Sequence, residues 1–286
     1  MRKLEIPKHI AKNFKPAKGF EHLFNRPKVW TGIENNQELD KPRFNVIGRG
    51  FIFKKHQEAI EKINGDIADF WNDYVVILTP SDTHIDFIKK YSEKIILCEK
   101  PVVVKKEDLD YLDEVKDLFT CHQLRYLPLE IKKEDFNKIN IDIRLKRDKE
   151  YFESWKGEPE RSGGMLLNIA IHYFDLLFYH FGFPELKVKC CKLTDRLAEG
   201  RFMSKDFQCD WRFEIGEELK DKRLFEINKK KYDLSPKINL YILLYQDLLQ
   251  GRGTKWQDVK KLYQLIFEIY EHTGENYFGF GYKKGN

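Results

Sequence analysis

The run Tyr74-Val75-Val76-Ile77-Leu78 is apolar throughout, so a strand built from it has no face that can be left in water. Such strands belong to parallel sheets covered by helices on both sides. Phe44-Asn45-Val46-Ile47 predicts a first strand running straight into Gly48-Arg49-Gly50, and Lys94–Cys98 and Leu118–Cys121 predict two more. Helical stretches lie between them, from Phe51 to Ile63 with a stop signal at Asn64-Gly65, from about Thr83 to Tyr91, and over about 106–117. Strands alternating with helices in this way read as a Rossmann-like α/β domain.

After about residue 124 the pattern changes. Ile139–Leu145 alternates apolar with polar residues, as do Leu186–Cys190, Asp206–Ile215 and Arg223–Ile227, which is the period of half-exposed antiparallel strands. Met165–Phe181 reads as a buried helix, and 237–249 and 255–271 as amphipathic ones. The expected organisation is an N-terminal arm over 1–43, a dinucleotide-binding Rossmann-like domain over 44–123, and an α+β domain over 124–286. The last would carry an open, mainly antiparallel sheet and serve substrate binding and oligomerisation.

Composition narrows the function classes. The formal net charge of +5 comes from scattered lysines, and Lys229-Lys230-Lys231 reads as a solvated turn rather than a nucleic-acid patch. No apolar run approaches the ~20 residues that span a bilayer, and the N-terminus is too charged for a secretory signal. Five cysteines without a CxxC pair read as reduced structural thiols, with no metal site. A cytoplasmic protein without nucleic-acid or membrane partners is expected.

The first candidate site is the glycine turn. Gly48 permits a tight turn after a strand, Gly50 lets the backbone approach a pyrophosphate, and the following helix supplies its positive end. Phe53 stands where the third small residue of such a motif belongs. The usual second strand ends in an acidic residue that binds the adenine ribose, about 20 residues beyond the glycines. Here only Gly65–Asp73 is available, so the unit is short by about 30–40 residues. Asp66 and Asp69 could serve, but read first as surface-loop carboxylates.

The second candidate is Lys100, in Glu99-Lys100-Pro101. Ligands bind beyond the carboxyl ends of parallel strands, and a φ-fixing proline holds the lysine there. It would bond a reacting hydroxyl and stabilise alkoxide character as hydride leaves. On spacing alone, a surface lysine in a Lys-Pro turn is the default reading.

The third candidate is Ser162-Gly163-Gly164 with the helix after it, where Asn168, His172 and Asp175 fall at i, i+4 and i+7 on one face. Polar groups in so apolar a helix should be paired or functional, because unpaired burial costs about 1–3 kcal/mol per group. His172 suits proton abstraction from a sugar hydroxyl, and suits equally the part of a satisfied core histidine.

Gly48-x-Gly50, Thr79-Pro80 with His84, Glu99-Lys100-Pro101 and Gly163-Gly164 followed by the His172 helix, in this order, resemble the Gfo/Idh/MocA oxidoreductase family over about residues 44–271. Gln123–Tyr126, Ser154–Gly157, Asn168–Asp175 and Tyr241–Gly253 are similar to its branch that oxidises UDP-N-acetylglucosaminuronate, in which asparagine stands four residues before the histidine. The resemblance implies NAD-dependent oxidation of the C3 hydroxyl of a UDP-N-acetyl-hexosaminuronic acid in surface-polysaccharide biosynthesis. It further implies cofactor recycling by 2-oxoglutarate and a homodimer or homotetramer. Lys100 and His172 would be the acid/base pair, and Asn168 would orient substrate or nicotinamide. Cofactor contacts would come from Gly48, Gly50, Phe51, Ile52, Thr79, Pro80, Ser81, His84, Glu99, Lys100 and Gln123. Arg125, Tyr151, Trp155 and Lys156 would line the nucleotide sugar with Asn168 and His172. Set against the short second-strand region, the alternative is a non-catalytic or cofactor-impaired sugar-nucleotide-binding homologue.

Overall fold

In the computed structural model, residues 41–69, 72–273 and 276–278 are described; the arm expected over 1–43 lies almost wholly outside them. The apolar runs form the first sheet. Strands β1 (Arg43–Ile47), β2 (Asp66–Ile67), β3 (Tyr74–Ile77), β4 (Ile95–Cys98) and β5 (Leu118–Thr120) pair in the order β2-β1-β3-β4-β5, all parallel. Val75, Val76 and Ile77 of β3 are fully buried in succession, as burial on both faces requires.

Helix α1 (Phe53–Lys62) follows β1, α2 (His84–Lys90) follows β3, and the short α3 (Leu109–Leu112) follows β4. The helix expected over 106–117 is thus only one turn beyond a 3₁₀ segment at Lys106–Asp108. The second strand, which sequence reasoning did not find, is present at the edge of the sheet. It pairs two residues with β1, Asp66 opposite Arg43 and Ile67 opposite Phe44, and too short a strand carries no periodicity to read. Six residues then connect it to β3.

The second sheet contains β6 (Asn137–Lys146), β7 (Lys187–Leu193), β8 (Leu197–Met203), β9 (Phe207–Gly216), β10 (Lys222–Ile227), β11 (Lys230–Tyr232) and β12 (Asn276–Phe278). Its order is β11-β10-β6-β9-β8-β7-β12, antiparallel except for the central β6–β9 pair, which runs parallel over ten residues. Lys230 and Lys231, expected in a turn, belong to β11; the turn itself is Asn228-Lys229, both at positive φ.

Alternate residues of β9 (Phe207, Cys209, Trp211, Phe213, Ile215) are buried on one face. There they meet α6 (Ile171–Phe181), through Phe174 against Phe202, Trp211 and Phe213 at ring spacings of 4.9–5.4 Å. Two short helices, α4 (Lys149–Glu153) and α5 (Pro159–Ser162), precede it. The opposite face is charged and laced by ion pairs such as Arg212–Glu199 at 2.7 Å.

Helix α7 (Tyr241–Leu248) packs back on the first sheet: Tyr241, Leu244, Tyr245 and Leu248 join Phe44, Val46, Ile60 and Val76 in one core. Helix α8 (Trp256–Glu271) begins beside β5, where Thr120 N donates to Thr254 O at 2.8 Å. Residues 41–127 and 133–273 lie in one compact unit; Pro128–Lys132, without helix or strand, belongs to a separate one. Among the described residues, no helix is long and apolar enough to cross a membrane.

Candidate active site

Both halves of the unit converge at the carboxyl ends of β3, β4 and β5. Gly48 follows β1 with φ +92°, and a Cβ there would stand 2.8 Å from the backbone of Leu78 and Thr79, so only glycine fits. At Gly50 a Cβ would meet nothing within 4 Å, so the backbone leading into α1 is open on that side. Phe51 is 83% exposed, and Lys156 Nζ lies 4.4 Å from its ring centroid. Ile52 packs on the core of the first sheet beside them.

The segment after β4 divides its side chains. Glu99 turns inward, accepting from Tyr241 OH at 2.5 Å and from Lys100 N at 3.1 Å, with His56 Nε2 at 3.0 Å. Burial alone would raise its pKa; the hydrogen bonds from His56 and Tyr241, with the His56 and Lys100 charges, outweigh burial and hold it at about 2. Cys121 brings its thiol within 4.8 Å of His56 and Glu99, but both His56 nitrogens are engaged, by Tyr245 OH at 2.9 Å and by Glu99. This is a hydrogen-bonded core network.

Lys100 turns outward and donates to the backbone oxygen of Asn168 at 2.6 Å. Burial brings its pKa down to about 8; Glu99 opposes this, and the cations Lys156 and Arg147 add to it.

The helix that receives Lys100 is not regular. Gly163 and Gly164 both take positive φ, and Tyr270 of α8 fastens their turn by donating to Gly163 O at 2.7 Å and accepting from Leu166 N at 3.0 Å. Leu166–Ala170 then forms a π turn, in which Ile171 N bonds Leu166 O. The inserted residue shifts the phase between Asn168 and the rest of the helix, so the single α-helical face expected for Asn168, His172 and Asp175 does not form. Asn168 Nδ2 donates instead to Tyr151 OH at 2.9 Å. Asp175 points the other way.

His172 lies between them, its Nδ1 buried without a hydrogen-bond partner. Burial pushes its pKa well below the usual histidine range, the Lys100 and His122 charges push the same way, and Glu99 and Asp175 oppose them. A neutral imidazole beside an ammonium of lowered pKa can take a proton from a hydroxyl that the ammonium polarises. Beside Asn168 is a cavity of about 200 Å³ lined by Tyr151, Phe152, Lys156, Met165 and Arg196 among others. Trp155 stands at its approach, its ring 5.9 Å from Lys156 Nζ.

Three residues expected to contact ligands are engaged within the protein. Glu99 faces the core, as described. His84 is buried, with Nδ1 2.8 Å from Pro101 O and Nε2 2.8 Å from Thr79 O, so it ties two strand ends together. Arg125 holds Asp175 through Nε and Nη2 at 2.5–3.1 Å and lies 5.0 Å from the Tyr179 ring. Thr79 and Pro80 remain partly exposed at the crevice while Ser81 is buried, and the Oε1 of Gln123 is without a partner. His122 and Arg147 were missed. Each directly follows or nearly follows a strand end, which is the signal that could have found them.

The carboxyl edge of a parallel sheet is where open α/β folds bind ligands, and here it faces a helix-backed mixed sheet. Residues 135–227 match the family model described as the oxidoreductase family, C-terminal alpha/beta domain (Gfo/Idh/MocA). The fold is shared with the WlbA (WbpB) dehydrogenase from Thermus thermophilus in complex with NAD and alpha-ketoglutarate, at 21% identity and TM-score 0.68 over 77% of this chain and 91% of that one. It is shared too with the Bordetella pertussis WlbA dehydrogenase in complex with NADH and UDP-GlcNAcA (17%, TM-score 0.65, 81% and 96%). A third likeness is UDP-N-acetylglucosamine 3-dehydrogenase GnnA from Acidithiobacillus ferrooxidans (13%, TM-score 0.64, 82% and 98%).

Proposed function

We propose that this chain is an NAD-dependent dehydrogenase that oxidises the C3 hydroxyl of a UDP-N-acetyl-hexosaminuronic acid. The observation that carries the reading is the Lys100–Asn168 contact, which joins the strand-end lysine to the histidine helix at 2.6 Å. NAD fits the open backbone at Gly48–Gly50 before α1, with Thr79, Pro80 and Gln123 along the crevice; Asp69, exposed two residues beyond β2, is the carboxylate assigned to the ribose in this reading. Once bound, NAD supplies the acceptor for the hydride.

The chain's own residues do the rest. Lys100 donates to the oxygen of the reacting hydroxyl and stabilises negative charge on it, while neutral His172 takes its proton. Asn168, anchored by Tyr151, orients the sugar. Lys156 and Arg196, against the single carboxylate of Asp195, give the adjoining cavity a net positive lining suited to an acidic sugar or its diphosphate.

The test supplies NAD, UDP-N-acetylglucosaminuronate and 2-oxoglutarate together and measures 2-hydroxyglutarate, which appears even when the cofactor stays bound. No product, with no thermal shift on adding NAD, overturns the reading. The two-residue β2 favours one other reading, a sugar-nucleotide binder with impaired cofactor use; it predicts binding by calorimetry without turnover, unchanged in Lys100→Ala.

A further inference from the structure

Behind His172 lies a second histidine that the proposed reaction does not use. His122 follows β5, at the same carboxyl edge as Lys100, and is 1% exposed. Its Nδ1 lies 3.3 Å from Asp175 Oδ2, an ion-pair distance off the line of a good hydrogen bond, and its Nε2 has no partner. The His122 and His172 rings stand edge to face, 6.4 Å between centroids. This spacing is too long for a direct bond between ring nitrogens and suits one bridging water.

A buried imidazole beside a half-buried one, each with a buried nitrogen that lacks a partner, is a costly arrangement without a role. The asymmetry lies in what backs them. His172 faces the Lys100 ammonium, with Glu99 and Asp175 farther round. His122 faces the Asp175 carboxylate, which Arg125 fixes in place from the other side. Of the two imidazoles, His122 is the one with a carboxylate at ion-pair distance.

We propose that His122 and His172 share one proton, with His122, backed by Asp175, as the positioning residue that takes it. The inference rests on the dehydrogenase reading for its use: the proton leaves the sugar hydroxyl for a His172 nitrogen, passes to a His122 nitrogen, and goes back by the same path to the carbonyl oxygen of the 2-oxo acid that is reduced to its hydroxy acid when the cofactor is recycled. No electrons move in this step. His172 is thereby returned to its neutral form, although its own site resists a second positive charge beside Lys100.

The coupling is measured in the ligand-free protein by NMR titration of the histidine rings in wild type, His122→Gln and His172→Gln. With the shared proton on His122, a further proton on His172 meets its charge, so the His172 titration moves upward by about one pH unit in His122→Gln. An unmoved His172 titration in that variant overturns the proposal, whatever the activity. In turnover, His122→Gln should keep KM, lower kcat and displace the acid limb of the kcat–pH profile, whereas a purely packing role would lower stability and leave the profile in place. Coupled titrations with no turnover of any sugar nucleotide sustain the histidine pair and remove the dehydrogenase reading, so the two failures are distinguishable.

Discussion

Replacing Lys100 by Met should abolish turnover and change how stability depends on pH. The lysine's pKa falls from 10.5 in the unfolded chain to about 8 in the folded one. At 1.36 kcal/mol per tenfold change in proton affinity, keeping the buried ammonium charged costs about 3 kcal/mol at pH 7. Because the side chain is only part-buried, this is an upper figure. Against it stands the bond to Asn168 O, whose loss leaves a carbonyl short of a donor at about 1–2 kcal/mol. Lys100→Met is therefore about 1–2 kcal/mol more stable than wild type at pH 7.

The sign of the pH effect is specific. Between pH 8 and 10.5 the unfolded wild type holds a proton that the folded protein has released, so wild-type stability rises with pH over that window. Met has no such limb. Urea unfolding of both proteins from pH 7 to 10 should show the variant's advantage shrinking and reversing. Curves that stay parallel within about 0.5 kcal/mol would refute the burial argument, and kcat reduced less than about 100-fold would refute the acid/base role.

Tyr241→Phe removes a donor from Glu99, raising the carboxyl from about 2 toward its unfolded 4.5. The depressed carboxyl contributes stability above about pH 4.5 that is lost as pH falls through 2, so the variant should lose about 2 kcal/mol at pH 7, and the deficit should close in acid; a pH-independent loss would point to packing alone. Gly48→Ala sets a Cβ against the Leu78 and Thr79 backbone at positive φ, and should cost about 2–4 kcal/mol by urea titration with loss of the NAD thermal shift. Lys156→Met should raise KM for an acidic nucleotide sugar about tenfold, near 1.4 kcal/mol, with kcat nearly unchanged; an equal fall in kcat would place Lys156 at the reacting centre instead.

What could be read from the sequence follows from how each element is buried. Strands β3 and β4 are covered on both faces, so burial leaves an uninterrupted apolar run, and its short length and β-branched residues mark it as strand rather than buried helix. Strand β9 has one buried face and alternates accordingly. Strand β8 is paired as fully as β9 but was not found, because Glu199-Gly200-Arg201 stands at its centre. Each of those residues has a spatial reason: Glu199 meets Arg212, Arg201 meets Asp210, and a Cβ on Gly200 would lie 2.3 Å from the Trp211 ring. The pattern that hides the strand is the record of its neighbours across the sheet.

The site divides in the same way. Lys100 and His172 stand in local contexts, a strand end before proline and an apolar helix after two glycines, that mark them within a dozen residues of sequence. Their partnership depends on the π turn, and an apolar stretch such as Leu166–Ala170 reads the same whether its hydrogen bonds skip four residues or five. That single inserted residue separates the environment of Asn168 from that of Asp175, which sequence periodicity had put on one face. Asn168 goes to Tyr151, leaving its backbone oxygen to Lys100, and Asp175 goes to Arg125 and His122. Asp175 thereby joins Arg125 to His122, beside His172. A helix deleted by one residue within Leu166–Ala170, restoring α-helical phase, should therefore uncouple Lys100 from His172 while both side chains remain in the protein.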